Sequence, residues 1–199
     1  MTTWLGLLTV LIAITSYSFY FVDMFKGKTK PHTLTWLIWG LLNTFIFLQQ
    51  LTHGAGPGAW VTSVAGLANL LIFVYSFKYG ERRITVIDWI CLVGATVTFI
   101  FWLQTSDAAL SVVLASLIFV IGFIPTIRKA WSKAHEETAI TFALNSLKFF
   151  IALFALGTVS IVTAFYPAVL FVLNGAFAIF LVVKRGGRRT IRGKKKGRR

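Results

Sequence analysis

Seven stretches of the chain are each long and apolar enough to cross a bilayer: residues 3–21, 33–52, 58–78, 86–104, 108–126, 138–157 and 159–183. A span needs about 20 mostly apolar residues to cross a hydrocarbon core of roughly 30 Å. That core holds no water, so each backbone N–H and C=O has to be satisfied within the chain, and runs of this length are helices. The strand alternation of an outer-membrane barrel is absent. The pattern predicts an all-α membrane protein with seven transmembrane helices.

Charge predicts the orientation. The chain is 57% hydrophobic and only 13% charged, yet its formal net charge is +14. Apart from Lys148, the basic residues sit in four places: Lys26, Lys28 and Lys30; Lys78, Arg82 and Arg83; Arg128, Lys129 and Lys133; and ten from Lys184 to Arg199. The alternate links, 53–57, 105–107 and 158, carry no Lys or Arg. Basic odd links and neutral even links follow the positive-inside pattern. The expectation is a multi-pass protein of the cell inner membrane, with the N-terminus outside and the C-terminus cytoplasmic. Its first ten residues lack the basic start of a cleaved signal peptide, so the first span is expected to stay.

The one cysteine, Cys91, excludes an intrachain disulfide. The tail 184–199 has no apolar face and reads as a disordered basic segment attracted to anionic lipid. It has neither the aromatic interleaving nor the surrounding fold of a specific nucleic-acid binder.

An odd number of spans suggests a repeat. Spans one to three and five to seven match in outline, with span four as the joint. Thr35-Trp36 open span two, and Thr141-Phe142 open span six 106 residues later. Asn69 in span three and Asn174 in span seven are 105 residues apart. Two parallel three-helix repeats need one crossing between them, a 3+1+3 plan. It divides the chain into a first repeat (1–85), a linker helix (86–107), a second repeat (108–183) and the tail (184–199). Parallel repeats of this kind are a transporter plan, with the substrate near the midplane where the repeats meet.

Some of these residues carry a family resemblance. The segment Phe123 to Leu153, FIPTIRKAWSKAHEETAITFALNSLKFFIAL, resembles a PQ-loop repeat: proline ends a helix, a short basic link follows, and small and polar residues open the next helix. The 3+1+3 plan is similar to that of the SWEET-type sugar transporters. That resemblance implies a substrate role for one asparagine in the third helix of each repeat, here Asn69 and Asn174. Span two's WLIWGLLN, Trp36 to Asn43, is similar to the Trp-x-x-Trp…Asn helix of Pnu-type nicotinamide riboside transporters. The chain departs from the family where the Pro-Gln pair would stand, with Pro125-Thr126 in the second repeat and Phe19-Tyr20 in the first.

Helical rise places the polar groups. At 1.5 Å per residue, Asn43 and Lys148 lie roughly 15 Å deep from the basic side, and Asn69 lies roughly 16 Å from the other. Asn145 shares a face with Lys148 by i, i+3 spacing. Membrane asparagines also serve as helix–helix glue, worth about 0.6–2 kcal/mol. A charge at the bilayer centre costs about 2.5–3.5 kcal/mol, which makes Lys148 a functional candidate. No carboxylate is expected at its depth: Asp23 and Asp88 are near one edge and Asp107 near the other. Lys148 faces water, loses its proton, meets an anionic ligand group or is held by Asn145. Trp36 suits an interfacial aromatic belt or a gate, and Trp39 an aromatic wall for a sugar or heterocycle. Pro125 is a hinge candidate. His32 and His135 read as solvated link residues.

Enzyme constellations are absent: no His/Cys metal spacing, no phosphate-binding glycine loop, no intramembrane carboxylate pair. The expectation is a non-enzymatic carrier that needs no cofactor and moves a small polar metabolite by alternating access. A sugar-like solute leads, and a ribosylated vitamin is the rival. From another class, a non-transporting receptor or scaffold remains, since KDEL receptors resemble the same fold and bind a peptide end. Association into a homo-oligomer stays open.

Overall fold

The structure, a computed structural model, describes residues 1–81, 85–86, 89–90, 93, 96–97, 100, 103–105 and 107–196, without the side chains of 187–196. Half of the expected linker helix over 86–107, Asp88 and Cys91 included, falls outside the described residues, as do Arg82 and Arg83.

The described residues form an all-helical chain. Its long helices are α1 (Thr2–Phe25), α2 (Thr33–Thr52), α3 (Trp60–Tyr79), α4 (Ala108–Lys133), α5 (Ala139–Phe154) and α6 (Ile161–Lys196). Short 3₁₀ turns, Gly56–Ala59 and Ala134–Glu136, precede α3 and follow α4. Among the described residues, five segments are long and apolar enough to cross a membrane: Thr2–Phe25, Thr33–Thr52, Gly56–Tyr79, Ala108–Glu136 and Ile161–Gly186. α5 is apolar but shorter, at 16 residues.

Local chemistry sets the ends. Gly27, at φ 68°, takes the left-handed turn that closes α1 and that a side chain would disfavour. Asp107 caps α4, its Oδ1 accepting from the N–H groups of Ala109 and Leu110 at 2.8 and 3.1 Å. Gly66 lets α2 and α3 approach closely, since a Cβ there would lie 3.0 Å from Thr44 Oγ1 and 3.2 Å from its backbone nitrogen.

The helices pack as a closed ring in the order α1–α3–α2–α4–α6–α5 and back to α1. This pattern is unchanged when α1 exchanges with α4, α2 with α5 and α3 with α6. Hydrogen bonds repeat it in detail. Thr35 Oγ1 of α2 donates to the Gly122 carbonyl of α4 at 2.9 Å. Thr141 Oγ1 of α5 donates to the Ser16 carbonyl of α1 at 3.0 Å. Donor and acceptor are each displaced by the same 106 residues. The outside of the ring is apolar, with Leu11, Leu48, Leu67, Phe77, Val172 and Ile179 all exposed. A broad apolar surface around a core that holds many polar groups suits lipid rather than water.

Several expectations are corrected. Pro125 does not end a helix; it lies buried inside α4, which runs on to Lys133. An interior proline costs about 3 kcal/mol in isolation, and here α2 and α6 packed along α4 offset it. Arg128, Lys129 and Lys133 therefore sit on the last turns of α4 rather than in a link. Pro167 likewise lies inside α6. It cannot bond to the Thr163 carbonyl one turn back, and Gln50 Nε2 of α2 donates to that carbonyl at 3.1 Å. The backbone of α6 is helical beyond its apolar stretch, through Lys196.

Candidate functional site

The centre of the ring holds a cavity to which every helix contributes. α1 supplies Tyr17; α2 supplies Trp36, Trp39 and Asn43; α3 supplies Ala65 and Asn69. α4 supplies Phe119, α5 supplies Asn145 and Phe149, and α6 supplies Leu170 and Asn174. Its volume is about 10 Å³. That is room for about one water molecule, so the side chains are drawn close together.

The lining follows the same offset. Trp39 and Asn145 are 106 residues apart, as are Asn43 and Phe149; Ala65 and Leu170 are 105 apart, as are Asn69 and Asn174. α2 places an aromatic residue and then an asparagine one turn later, and α5 reverses the order. The cavity is therefore symmetric in position and asymmetric in chemistry.

Aromatic rings build its walls. Trp39 stacks on Phe119 at 4.9 Å and 17°, and its Nε1 donates to the Phe119 carbonyl at 3.3 Å. Trp36 meets Trp39 edge-on at 5.2 Å and lies 4.7 Å from Tyr20. At 2% exposure Trp36 is a core residue, which corrects the interfacial-belt reading. An indole three residues into an apolar helix reaches headgroups only when its face of the helix meets lipid, and this face meets α1 and α4.

The asparagines are held from within. Asn43 Nδ2 donates to the Trp39 carbonyl, and Asn174 Nδ2 to the Leu170 carbonyl, each at 2.8 Å. Asn145 Oδ1 accepts from Ser16 Oγ at 3.0 Å. Asn43 Oδ1 and Asn69 Oδ1 are buried without a hydrogen-bond partner. Buried acceptors of this kind cost about 1–3 kcal/mol each until something donates to them.

Lys148 is fully buried on α5, next to the lining but not part of it. Asn145 does not hold it. Its Nζ has no hydrogen-bond partner and rests 4.2 Å from the ring centre of Tyr17 and 5.1 Å from that of Phe149. Pro125 lies outside the lining. His135 is exposed, as expected, but His32 is buried, with Nδ1 3.4 Å from Thr35 Oγ1, which corrects the solvated reading.

Both rims of the ring are tied between α1–α3 and α4–α6 by contacts of their links. At the neutral end, the N–H of Gly157 donates to the Ala55 carbonyl and that of Thr158 to the Gly54 carbonyl, each at 3.0 Å. At the basic end the Lys30 N–H donates to the Glu136 carbonyl at 3.1 Å. There the buried Lys129 ammonium lies against the Glu137 carboxylate and donates to the Lys30 carbonyl. Arg185 of α6 donates to the Ala134 carbonyl through Nε at 3.1 Å and Nη2 at 2.9 Å, and Nη2 also reaches the Glu137 carbonyl.

Charge spacing in the sequence did not find this second cluster, because its residues read as topology signals. Tyr17, Phe119, Phe149, Ala65 and Leu170 were also missed as lining. One of them was within reach: the 106-residue offset carries Asn43 onto Phe149. Among the described residues, no three His, Cys, Asp or Glu side chains gather as a metal site.

The chain matches no family model, no curated protein and no solved structure.

Proposed function

We propose that this chain is a membrane carrier that moves a small polar solute through the central cavity by alternating access. The observation that carries the reading is the cavity itself. It lies on the axis of a six-helix ring, draws on every helix, and is lined by four asparagines and five aromatic rings. Helix–helix glue alone does not require buried acceptors to remain unpaired, as Asn43 Oδ1 and Asn69 Oδ1 do. The pseudo-symmetric packing supports two three-helix repeats, and the apolar stretch between α3 and α4 supports a joining helix, together the 3+1+3 plan of PQ-loop and SWEET-like transporters. In that plan the two repeats rock about the cavity, breaking the tie at one rim while the other holds.

The basic links and the α6 extension would face the cytoplasm, by the positive-inside rule. Reconstituted protein tests the carrier reading. Labelled solutes that raise the melting temperature should cross proteoliposomes and saturate. Binding without flux would make the chain a receptor with a carrier-like fold.

A further inference from the structure

Lys148 and the two unpaired asparagine oxygens together describe a ligand. A lysine at this depth is a costly group to keep and is expected to have a partner. The described carboxylates are all committed elsewhere. Asp23 accepts from Thr138, Glu81 pairs with Lys133, Asp107 caps α4, Glu136 pairs with Lys30, and Glu137 pairs with Lys129. What surrounds the Lys148 ammonium is the ring face of Tyr17 and that of Phe149. Both of those rings line the cavity. Nζ therefore lies against two rings of the lining, at the end of a flexible four-carbon stem. On the other side, Asn43 Oδ1 and Asn69 Oδ1 accept and lack a donor.

We propose that the solute is a small anion, with a carboxylate or phosphate group paired by Lys148 and hydroxyl or amino donors on the same molecule meeting Asn43 and Asn69. This rests on the carrier reading and narrows its substrate class. A cation against acceptors selects a molecule with the complementary order of groups, as in a hydroxy acid, a sugar acid or a sugar phosphate. Neutral relatives would leave the lysine buried and unpaired, and simple anions would leave the asparagines so.

The test uses purified full-length protein and matched pairs that differ in charge: lactate and lactamide, gluconate and glucose, glycerol 3-phosphate and glycerol, with inorganic phosphate as the donor-poor anion. Thermal unfolding gives the apparent affinity of each. At least one anion should bind about tenfold or more tightly than its neutral twin. Lys148→Met should lose that preference while unfolding at an equal or higher temperature without ligand, and Lys148→Arg should keep part of it. If Lys148→Met fails to fold, Lys148→Gln serves in its place with the same expectation. Carboxylate against phosphate is read from which pair shows the preference. Equal binding of the neutral twin, unchanged preference without the lysine, or no anion in the panel binding would each overturn the proposal. Flux separates it from the reading beneath it. Lysine-dependent anion binding without transport keeps the anion site and sinks the carrier. Transport of a neutral twin alone keeps the carrier and sinks the anion site.

Discussion

Removing Lys129 and removing Glu137 should have unequal, pH-dependent costs. Both side chains are 2% exposed, and their ionic contact bridges α4 to the segment that leads into α5. Breaking a buried pair by deleting one partner costs about 3–5 kcal/mol, whereas replacing both with apolar groups of similar volume is often near neutral. Glu137→Gln leaves the Lys129 ammonium buried without a counter-charge, with only neutral acceptors, the Lys30 carbonyl and the new amide oxygen, against it. In a domain of 150–250 residues each kcal/mol moves the melting temperature by about 2–4 °C, so this variant should lose roughly 6–20 °C.

Lys129→Met differs, because a carboxyl can take up a proton. Burial already pushes the Glu137 carboxyl above its ordinary value, against the pull of Lys129 and Arg185. A raised carboxyl pKa means that the folded state holds the proton more tightly than the unfolded one. Its contribution is therefore present below the unfolded value of about 4.3 and is lost as pH rises through the folded pKa. Without Lys129 the folded value rises further, so Lys129→Met should be markedly more stable at pH 5 than at pH 7, and Glu137→Gln should lack that slope. The assay is thermal unfolding of the full chain in detergent at both pH values, for each single variant and for Lys129→Met with Glu137→Leu. A Glu137→Gln melting temperature within about 2 °C of wild type would refute the reasoning, as would a double variant no more stable than the singles.

Three further outcomes follow from the same packing. Asn69→Ala and Asn174→Ala should each weaken solute binding by about 1–3 kcal/mol in a thermal-shift titration, and Asn69→Ala should not lower stability, because its Oδ1 has no partner to lose; wild-type affinity in both would remove the asparagines from the site. Gln50→Leu should destabilise by about 1–3 kcal/mol in thermal unfolding, because the Thr163 carbonyl that Pro167 leaves free then loses its donor; a stability equal to wild type would mean that water serves that carbonyl. In a Cys91→Ala background, single cysteines at Thr52 and Lys184 should react with an impermeant thiol reagent from outside and inside respectively, and labelling of both from one side would overturn the orientation.

How much of this could be read from the sequence depended on whether the signal was local or shared between helices. Helix positions came from apolar length alone, and the Thr35/Thr141 and Asn69/Asn174 spacings are matched by a pseudo-symmetric packing of the helices. The four asparagines were found because a membrane core makes any polar side chain conspicuous. Trp36 and His32 were misread because depth along a helix does not say which face meets lipid. Pro125 was read as a stop because proline's local cost is visible and the packing that offsets it is not. Lys129 and Glu137 were read as link charges since their partnership spans eight residues of bent chain and has no periodic signature. Gln50 had no signal at all until Pro167 was known to lie inside a helix beside it.

The central claim is that one cavity opens to each side of the membrane in turn. Asn69→Cys and Asn174→Cys, each in the Cys91→Ala background, place a thiol in the lining without any knowledge of the solute. Right-side-out and inside-out vesicles are each exposed to a membrane-impermeant thiol reagent, and the rate of labelling is measured. A carrier that alternates should be labelled at both positions from both sides, at rates that fall when a bound solute is present. Labelling at both positions from one side only would contradict the account.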